Sequence, residues 1–431
     1  MKPCLYMLGG INYKNGYITT CPRQADKLVL KKETFLPSEI FNHKRFKWAR
    51  EKLYNDQFPN GCYTCEAMEN INHPSMRQDF LLNDDNNFYR IERTPTHPDE
   101  TGLMKCYDSK THQTTFEGLR HIEFRFSTAC NFTCLHCSDV FSSGWTTKLK
   151  NYIPDDEDRL YDLKQILKTD HRNGHDDIDQ IDISLEESMI ICEDLIVNFP
   201  NLKWVDFAGG ELLFQKQFYP TLKKLADHPN AKNMHISFHT NFNAKKFNIE
   251  ELSSLLEPFK ESTITISVDA GKSFYSYFRH GGDWDQLEKN IRDFKKINNF
   301  TYVQTSCTTS IYQMLDIYDV FDSFLQLNCD FDASIVQSPS YLDPSLVFVE
   351  FEKETISDLR RTEDLISNSN VKGVKYWFEY IKKYVCNNKS LQRDYFRWLI
   401  YRKKSDIIWK QNFNDYFNNY QIDEHNELVR V

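Results

Sequence analysis

Three cysteines with the spacing CxxxCxxC are the most chemically specific feature of the sequence: Cys130, Cys134 and Cys137. They follow a strand-like segment, 121–126, in which polar and apolar residues alternate. Three thiolates on one loop suit an iron–sulfur cluster that leaves one iron without a protein ligand. Zinc held by three cysteines and His136, or by a distant fourth ligand, is the alternative. The cluster is favoured, because His136 lies between two of the cysteines, where its ring is poorly placed to join them.

A second group of cysteines precedes that loop in the sequence, at Cys4, Cys21, Cys62 and Cys65. The first two bracket a predicted hairpin whose tip is Asn-Gly at 15–16, a strong turn signal. The other two form a CxxC pair after a Pro-Asn-Gly turn. Together they can close a complete shell of four thiolates, and by spacing alone structural zinc is the commoner occupant of such a shell.

The elements that must position these cysteines alternate between strand and helix from about residue 120 onward. Strands separated by helices of about 10–15 residues predict βαβ units and a parallel sheet. Six strands are predicted, near 121–126, 204–208, 234–239, 263–268, 302–308 and 331–336. The predicted fold class is therefore α/β, with a partial, TIM-like (βα)6 barrel that carries chemistry at the carboxyl ends of its strands. The predicted boundaries are 1–117 for a small cysteine-rich domain, 118–345 for the barrel and 346–431 for a C-terminal helical extension.

Composition and charge exclude several other classes of protein. The chain has 431 residues, with 53 Lys and Arg against 62 Asp and Glu, and a formal net charge of −9. That balance argues against nucleic acid as the substrate. Mean hydropathy is −0.61, and no apolar run approaches the roughly 18 residues of a membrane span, so we expect a cytoplasmic protein without a membrane partner. A reducing cytosol does not sustain structural disulfides, so the twelve cysteines need another explanation.

The cysteine triplet resembles the signature of the radical S-adenosylmethionine (SAM) superfamily, in which a ring-bearing residue precedes the third cysteine. His136 occupies that position. The resemblance implies that Cys130, Cys134 and Cys137 bind a [4Fe–4S] cluster and that SAM chelates its open iron. The reduced cluster would cleave SAM to methionine and a 5′-deoxyadenosyl radical, which abstracts hydrogen from the substrate. An electron donor such as a flavodoxin or a ferredoxin is implied as a partner.

Gly209-Gly210-Glu211, after the second predicted strand, is similar to the GGE motif of the same superfamily. Its glycines let the backbone approach a ligand, and its carboxylate can accept hydrogen bonds from the SAM ammonium group. Members of the family usually have proline next, where this chain has Leu212.

Further positions match SAM-binding motifs after the next strands: Thr240, Asn241, Ser267, Asp269 and Arg279. The Thr-Asn pair resembles one that lines the SAM site, and Ser267-Val268-Asp269 resembles the family's Ser-x-Asp-Gly, although Ala270 replaces the glycine. The guanidinium fork of Arg279 would suit the SAM carboxylate, with a surface ion pair as the alternative.

Residues 1–117 resemble the auxiliary-cluster (twitch) domain of SPASM-like radical SAM enzymes, here placed before the barrel. The matching residues occur in the family's order and are Pro3, Cys4, Asn15, Gly16, Cys21, Cys62, Cys65, Glu69, Ser75 and Arg77. The resemblance favours an auxiliary [4Fe–4S] cluster at the four cysteines, with zinc as the alternative. Pro22 stands where such domains often carry a further cysteine.

The twitch resemblance implies a radical SAM oxidoreductase or transformase whose substrate is a peptide, which it would oxidise, cross-link or epimerise. Oxidation of a sugar, a nucleoside or another small metabolite is the alternative. A non-catalytic, zinc-stabilised binding protein is a more remote one, which a failure to bind SAM would favour. The sequence predicts neither the identity of the substrate nor an acid–base residue that completes the reaction.

Overall fold

Strands and helices alternate along the chain and build one nine-stranded sheet in the computed structural model of the protein. The structure describes residues 4–14, 17–21, 28–29, 35–70, 75, 77, 102–139, 141–151, 182–244, 247–336, 339–388, 391–417, 419–423, 425 and 427–430. The predicted hairpin tip at 15–16 lies outside these residues, as do Pro3 and Pro22.

The strands are numbered in chain order. They are β1 (Gly10–Lys14), β2 (Tyr17–Thr19), β3 (Leu28–Val29), β4 (Tyr107–Asp108), β5 (Gln113–Thr114), β6 (His121–Phe124), β7 (Thr133–Cys134), β8 (Trp204–Phe207), β9 (His235–Thr240), β10 (Glu261–Ser267), β11 (Arg279–His280), β12 (Thr301–Thr309), β13 (Asp330–Ile335), β14 (Tyr420–Ile422) and β15 (Leu428–Arg430). The large sheet has the order β13-β12-β10-β9-β8-β6-β1-β2-β3, and the other strands form two-stranded pairs.

Six consecutive strands of the large sheet, from β6 to β13, run parallel to one another. They are the six strands predicted from the sequence, and each begins and ends within two residues of its predicted bounds. The α/β class with a parallel sheet is therefore confirmed. On the other side of β6, β1 pairs in parallel and β2 pairs with β1 in antiparallel fashion, so the N-terminal strands continue the same sheet.

The two faces of this sheet differ in polarity, because the register places apolar residues beside apolar ones, and polar residues beside polar ones, on neighbouring strands. One aligned row is apolar and comprises Tyr13, Phe124, Phe207, Phe238, Ile264 and Val303. The next row, one residue along and on the opposite face, is polar and comprises Asn12, Glu123, Asp206, Ser237, Thr263 and Tyr302. Helices cover the apolar face and share its core.

The helices that surround the sheet are also numbered in chain order. They are α1 (Leu5–Gly9), α2 (Pro37–Ile40), α3 (Lys44–Tyr54), α4 (Tyr63–Asn70), α5 (Ser143–Asn151), α6 (Leu185–Asn198), α7 (Phe218–Leu225), α8 (Ile249–Leu256), α9 (Tyr275–Phe278), α10 (Trp284–Ile297), α11 (Ile311–Leu315), α12 (Ile317–Leu327), α13 (Glu352–Ile366), α14 (Val374–Asn387) and α15 (Gln392–Trp409). Local sequence sets their ends. Ser184 and Glu187, for example, form a capping box that starts α6. Among the described helices, none is long and apolar enough to cross a membrane.

Candidate functional site

The loop that carries Cys130, Cys134 and Cys137 leaves the carboxyl end of β6 and is fixed by hydrogen bonds at several points. The backbone N–H of Cys137 donates to the carbonyl of Cys134 over 3.0 Å, closing a tight turn between these two cysteines. Strand β7 pairs with β11, which places Cys134 opposite Arg279. The Ser142 hydroxyl donates to the carbonyl of Phe132 over 2.8 Å. Hydrogen bonds from neighbouring residues therefore fix the backbone that carries the three thiols.

Two elements that sequence reasoning did not connect with the cysteines also hold this loop. From α5, the Trp145 indole N–H donates to the carbonyl of Cys134 over 3.0 Å. From the C-terminal helix α15, the Trp409 indole donates to the Thr133 hydroxyl over 2.6 Å and the Tyr401 hydroxyl donates to the Leu135 carbonyl over 2.5 Å. All three aromatic residues are buried. The C-terminal extension is thus part of the support of the cysteine loop.

Cys134 is buried, Cys130 and Cys137 are partly buried, and the three thiols influence one another electrostatically. Burial raises the pKa of Cys134 to about 12. Burial, and then the charges of Cys134 and Cys130, raises the pKa of Cys137 well above its usual value. Thiols in such a place become thiolates when a metal binds them, because the cation supplies the missing stabilisation of the negative charge.

No three His, Cys, Asp or Glu side chains within the described ranges converge as they would around one metal ion. A cluster does not impose that requirement, since its thiolates bind separate irons. The donor set of the loop, three thiols from Cys130, Cys134 and Cys137, suits a cluster with one iron left open.

Glu211 connects the ends of two neighbouring strands directly beside the cysteine loop. Its buried carboxylate accepts hydrogen bonds from the Thr240 hydroxyl, from the backbone N–H of Asn241 over 2.6 Å and from the backbone N–H of Leu213 over 3.1 Å. Burial raises the pKa of Glu211, and the same hydrogen bonds oppose that rise. A carboxylate has about four acceptor positions, so roughly one remains for a further donor.

Asn241 joins this arrangement to the cysteine loop. Its side-chain amide donates to the Asn131 side chain, next to Cys130, over 2.8 Å. The backbone N–H of Glu211 donates to the Ala129 carbonyl over 2.8 Å, which ties the Gly-Gly-Glu turn to the other side of Cys130. Residues predicted from three separate motifs are therefore brought into one hydrogen-bonded unit.

The two glycines before Glu211 are required by the backbone. Gly209 has a φ of +84° and Gly210 a φ of +56°, the left-handed region that glycine adopts without strain. A Cβ at Gly210 would stand 2.4 Å from the Ala129 carbonyl oxygen. Gln215, which sequence reasoning missed, keeps this close approach in place, because its side-chain amide donates to the carbonyls of Gly209, Ala129 and Ser127. An isolated glutamine has no sequence signal that would reveal such a role.

Asp269, Arg279 and His136 meet on the opposite side of the cysteine loop. The Arg279 guanidinium forms a buried ion pair with Asp269, and the His136 Nε2 lies 3.6 Å from the same carboxylate. The other Asp269 oxygen accepts from the backbone N–H of Thr308 over 2.7 Å. Arg279 is thus buried and paired, so the surface ion pair considered as its alternative role does not apply. Ser267 is the last residue of β10, two positions before Asp269.

The His136 ring packs against another aromatic ring. Its ring stacks on Phe278 with centroids 5.1 Å apart and an interplanar angle of 16°. Burial lowers the pKa of His136, which favours the neutral ring. Its Nδ1 is buried and has no hydrogen-bond partner among the residues that the structure describes.

The structure also brings together the four cysteines that precede the barrel. Cys4 precedes α1, Cys21 follows β2, Cys62 precedes α4 and Cys65 lies within α4. Burial, followed by the charges of Cys4, Cys21 and Cys65, raises the pKa of Cys62 above its usual value. The four thiols therefore interact electrostatically, although no three of them in the described part of the chain converge as the ligands of a single metal ion would.

Three further residues of the twitch resemblance are bonded to one another beside this group. Glu69 accepts a hydrogen bond from the Ser75 hydroxyl over 2.6 Å and forms an ion pair with Arg77 over 2.5 Å. Arg77 also lowers the pKa of Cys4 in opposition to burial, which raises that pKa to about 11. A cation near Cys4 and Cys62 would offset part of the negative charge that these thiols acquire as ligands.

No protein-family model matches the chain, and no curated protein matches it. Several solved structures are similar to it. One is anSMEcpe with bound AdoMet, which is 18% identical over 59% of this chain and 63% of that chain, with a TM-score of 0.37. SuiB of Streptococcus suis bound to the precursor peptide SuiA is 14% identical over 83% of this chain and 65% of that chain, with a TM-score of 0.35.

A third similar structure is the same SuiB bound to S-adenosylmethionine, which is 13% identical and has a TM-score of 0.37. The alignment spans 66% of that chain, so the protein matches less than two thirds of the length of each of these structures. Each of the three TM-scores is below 0.5.

Proposed function

We propose that the protein is a radical SAM enzyme that cleaves S-adenosylmethionine and takes hydrogen from a substrate. The observation that carries this proposal is the meeting of three motifs around one loop. Glu211 and Asn241 are hydrogen-bonded to the residues on either side of Cys130, while Arg279 lies opposite Cys134. A cluster site alone would not need a buried carboxylate and a buried guanidinium beside it, whereas an amino acid ligand, with one ammonium and one carboxylate group, would.

Cys130, Cys134 and Cys137 would hold the SAM-binding [4Fe–4S] cluster. When bound, such a cluster supplies the electron that splits SAM into methionine and the 5′-deoxyadenosyl group that abstracts hydrogen. Glu211 would use its remaining acceptor position for the SAM ammonium group, and the Thr240-Asn241 pair keeps that carboxylate in place. Gly209 and Gly210 let the backbone lie close to the ligand, since neither carries a side chain.

On the other side of the loop, Arg279 would balance negative charge from the thiolates and the SAM carboxylate. Asp269 holds the guanidinium in place and is itself fixed by Thr308. The neutral, stacked His136 ring offers an aromatic surface within the loop. Ser267 would line the same region from the end of β10.

We assign a second, fully ligated [4Fe–4S] cluster to Cys4, Cys21, Cys62 and Cys65 in an N-terminal, twitch-like domain. Four thiols leave no open iron, so this site would serve electron transfer or structure and would not chelate SAM. We place the substrate among peptides and the electron donor among flavodoxins or ferredoxins, in a cytoplasmic setting. The net reaction would be an oxidation, a cross-link or an epimerisation.

The test is to reconstitute the full chain with iron and sulfide under anaerobic conditions, reduce it and add SAM. We expect 5′-deoxyadenosine and methionine in equal amounts, measured by liquid chromatography and mass spectrometry. Iron content should approach about eight atoms per chain if both sites hold a cubane. Reconstituted, reduced protein that holds iron and produces no 5′-deoxyadenosine would overturn the proposal.

A further inference from the structure

The polar face of the parallel sheet is unusual for strands that are flanked by helices. Parallel sheets with helical crossovers are normally apolar on both faces, and barrel interiors are normally filled by branched apolar side chains. Here the aligned row Asn12, Glu123, Asp206, Ser237, Thr263 and Tyr302 is polar across six strands. Asn12, Glu123 and Thr263 are nevertheless buried. This face therefore encloses polar groups instead of packing as a hydrophobic core.

Asp206, at the centre of this row, is held from both sides. One carboxylate oxygen pairs with His121 Nε2 over 2.6 Å, and the other accepts a hydrogen bond from the Ser237 hydroxyl. Burial would raise the pKa of Asp206, but the charge and hydrogen bond of His121 and the hydrogen bond of Ser237 outweigh it and lower that pKa. The Asp206 carboxylate is thus held in a fixed orientation by His121 and Ser237.

The Asp206 side chain is more exposed than those of His121 and Glu123. Its side chain is 35% exposed, whereas that of His121 is 4% exposed. The neighbouring Glu123, only 6% exposed, is already paired with Arg125. Among the described residues, each Asp206 oxygen has one hydrogen-bond partner, so lone pairs remain for a donor that enters from the polar face.

Two other observations indicate that this face meets a ligand. Both side-chain amide atoms of Asn12 are buried and have no hydrogen-bond partner among the described residues, and the same is true of His121 Nδ1. Buried polar atoms are nearly always paired, because an unpaired one costs about 1–3 kcal/mol. Asn12 lies in the same row as Asp206, with Glu123 between them. A partner from outside the chain would remove that cost.

The polar row lies near the proposed SAM site along the chain. Asp206 precedes Gly209 by three residues, so their Cα atoms are at most about 11 Å apart. A group anchored at Asp206 would therefore lie near the Gly-Gly-Glu turn.

We propose that Asp206, oriented by His121 and Ser237, anchors a cationic group of the substrate, an ammonium or a guanidinium, on the polar face of the sheet. This inference rests on the proposed function, since it treats the occupant of that face as the substrate. A cation is favoured over an anion because the accessible carboxylate would repel a negative group. Of the peptide side chains, those of lysine and arginine carry such a charge.

The experiment measures binding alone, so that it does not depend on SAM cleavage. Full-length protein, loaded with clusters and SAM without a reductant, is titrated by anaerobic calorimetry with capped tripeptides, acetyl-Gly-Xaa-Gly-amide, where Xaa is Lys, Leu or Glu. We expect the Lys peptide to bind at least about tenfold more tightly than the Leu peptide. In Asp206→Asn that ratio should fall to about one.

Asp227→Asn is the matched control, because Asp227 is exposed in a turn and its replacement removes the same charge from the chain. It should keep the wild-type ratio. Should Asp206→Asn fail to fold by circular dichroism, Asp206→Glu retains the charge and should retain a preference for the Lys peptide. A wild-type ratio near one, tighter binding of the Glu peptide, or an unchanged ratio in folded Asp206→Asn would overturn the inference. Wild-type protein that prefers the Lys peptide and yet cannot cleave SAM would contradict the proposed function and leave the cation site intact.

Discussion

The two cysteine groups of the chain differ in how their positions are determined. Cys130, Cys134 and Cys137 lie within one short loop, which the sheet, α5 and α15 hold through hydrogen bonds to its backbone. The N-terminal group instead draws Cys4, Cys21, Cys62 and Cys65 from separate segments. Hydrogen bonds from neighbouring elements therefore determine the path of the loop. A metal centre at the N-terminal group would in addition link separate parts of the chain.

This contrast separates two uses of a metal centre. A site that the fold already supports can leave one iron open, because the missing protein ligand costs no structural stability. A site that links separate segments gains most from complete ligation, since metal binding then contributes to folding. We therefore expect that loss of the first group abolishes SAM cleavage. Loss of the second group should remove the second cluster and destabilise the N-terminal segments.

The largest expected effect follows replacement of Cys130, Cys134 and Cys137 together by alanine. This variant should lose 5′-deoxyadenosine production completely, because no thiolate remains to bind the SAM-cleaving cluster, and it should lose about half of its iron. Chromatography of the products and an iron assay measure the two losses. Cys386→Ala, at an exposed cysteine on α14, is the control and should behave as wild type. Continued 5′-deoxyadenosine production by the triple variant would show that the loop is not the cluster site.

Replacing Cys62 and Cys65 by alanine should separate the two groups. We expect the iron content to fall by about half while SAM cleavage continues, because the open iron belongs to the other group. The thermal unfolding of the N-terminal segments should shift to lower temperature, which circular dichroism and limited proteolysis would follow. Product formation from the real substrate should stop.

A folded Cys62/Cys65 variant that keeps the Cys130 cluster and cannot cleave SAM would contradict this division of roles. If wild-type protein instead contains zinc that the Cys62/Cys65 variant lacks, as elemental analysis would show, the N-terminal group is a structural zinc site.

A smaller effect is expected from Glu211→Gln. The carboxylate accepts three hydrogen bonds within the chain and has roughly one position left for the SAM ammonium. Loss of that charge should weaken SAM binding by about tenfold or more, measured anaerobically with the cluster intact. Because the same change also affects Thr240 and Asn241, Thr240→Val is the matched variant, which removes one hydrogen bond and keeps the charge. If both variants lower SAM affinity equally, Glu211 acts by supporting the turn and not by contacting SAM.

The sequence predicted the parallel sheet and the grouping of the motifs because both depend on local patterns. Strands such as Asp330–Ile335 alternate polar and apolar residues, and their carboxyl ends must meet at one edge of a parallel sheet. The same alternation also predicts a polar face of the sheet, which the sequence analysis did not include. In strands linked by helices, alternation indicates a polar enclosed face, and Asp206, Ser237 and Glu123 follow from it directly.

Other parts of the site could not be predicted from one sequence. The bond from Trp409 to Thr133 spans 276 residues, and that from Tyr401 to Leu135 spans 266. The apolar residues of α15 do not follow a clear helical period, and no sequence pattern shows what they contact. Gln215 likewise gains its role only from the fold of the Gly-Gly-Glu turn.

The smallest predicted effect tests whether the fold supports the cysteine loop without metal. Trp409→Phe removes the indole N–H that donates to the Thr133 hydroxyl and leaves that hydroxyl buried among aromatic rings. We expect the free energy of unfolding to fall by about 1–3 kcal/mol, since a buried polar group loses its partner and the smaller ring leaves space. Chemical denaturation of the metal-free protein measures it. A matched change, Trp377→Phe, also shortens a buried indole, but on α14, whereas the bonds that hold the cysteine loop come from α5 and α15. If the metal-free loop owes its order to α15, Trp409→Phe should slow cluster reconstitution at Cys130, Cys134 and Cys137 and leave the N-terminal cluster unaffected, while Trp377→Phe should reconstitute both sites at the wild-type rate. Equal reconstitution rates in the two variants would mean that the metal, and not the C-terminal helix, orders this loop.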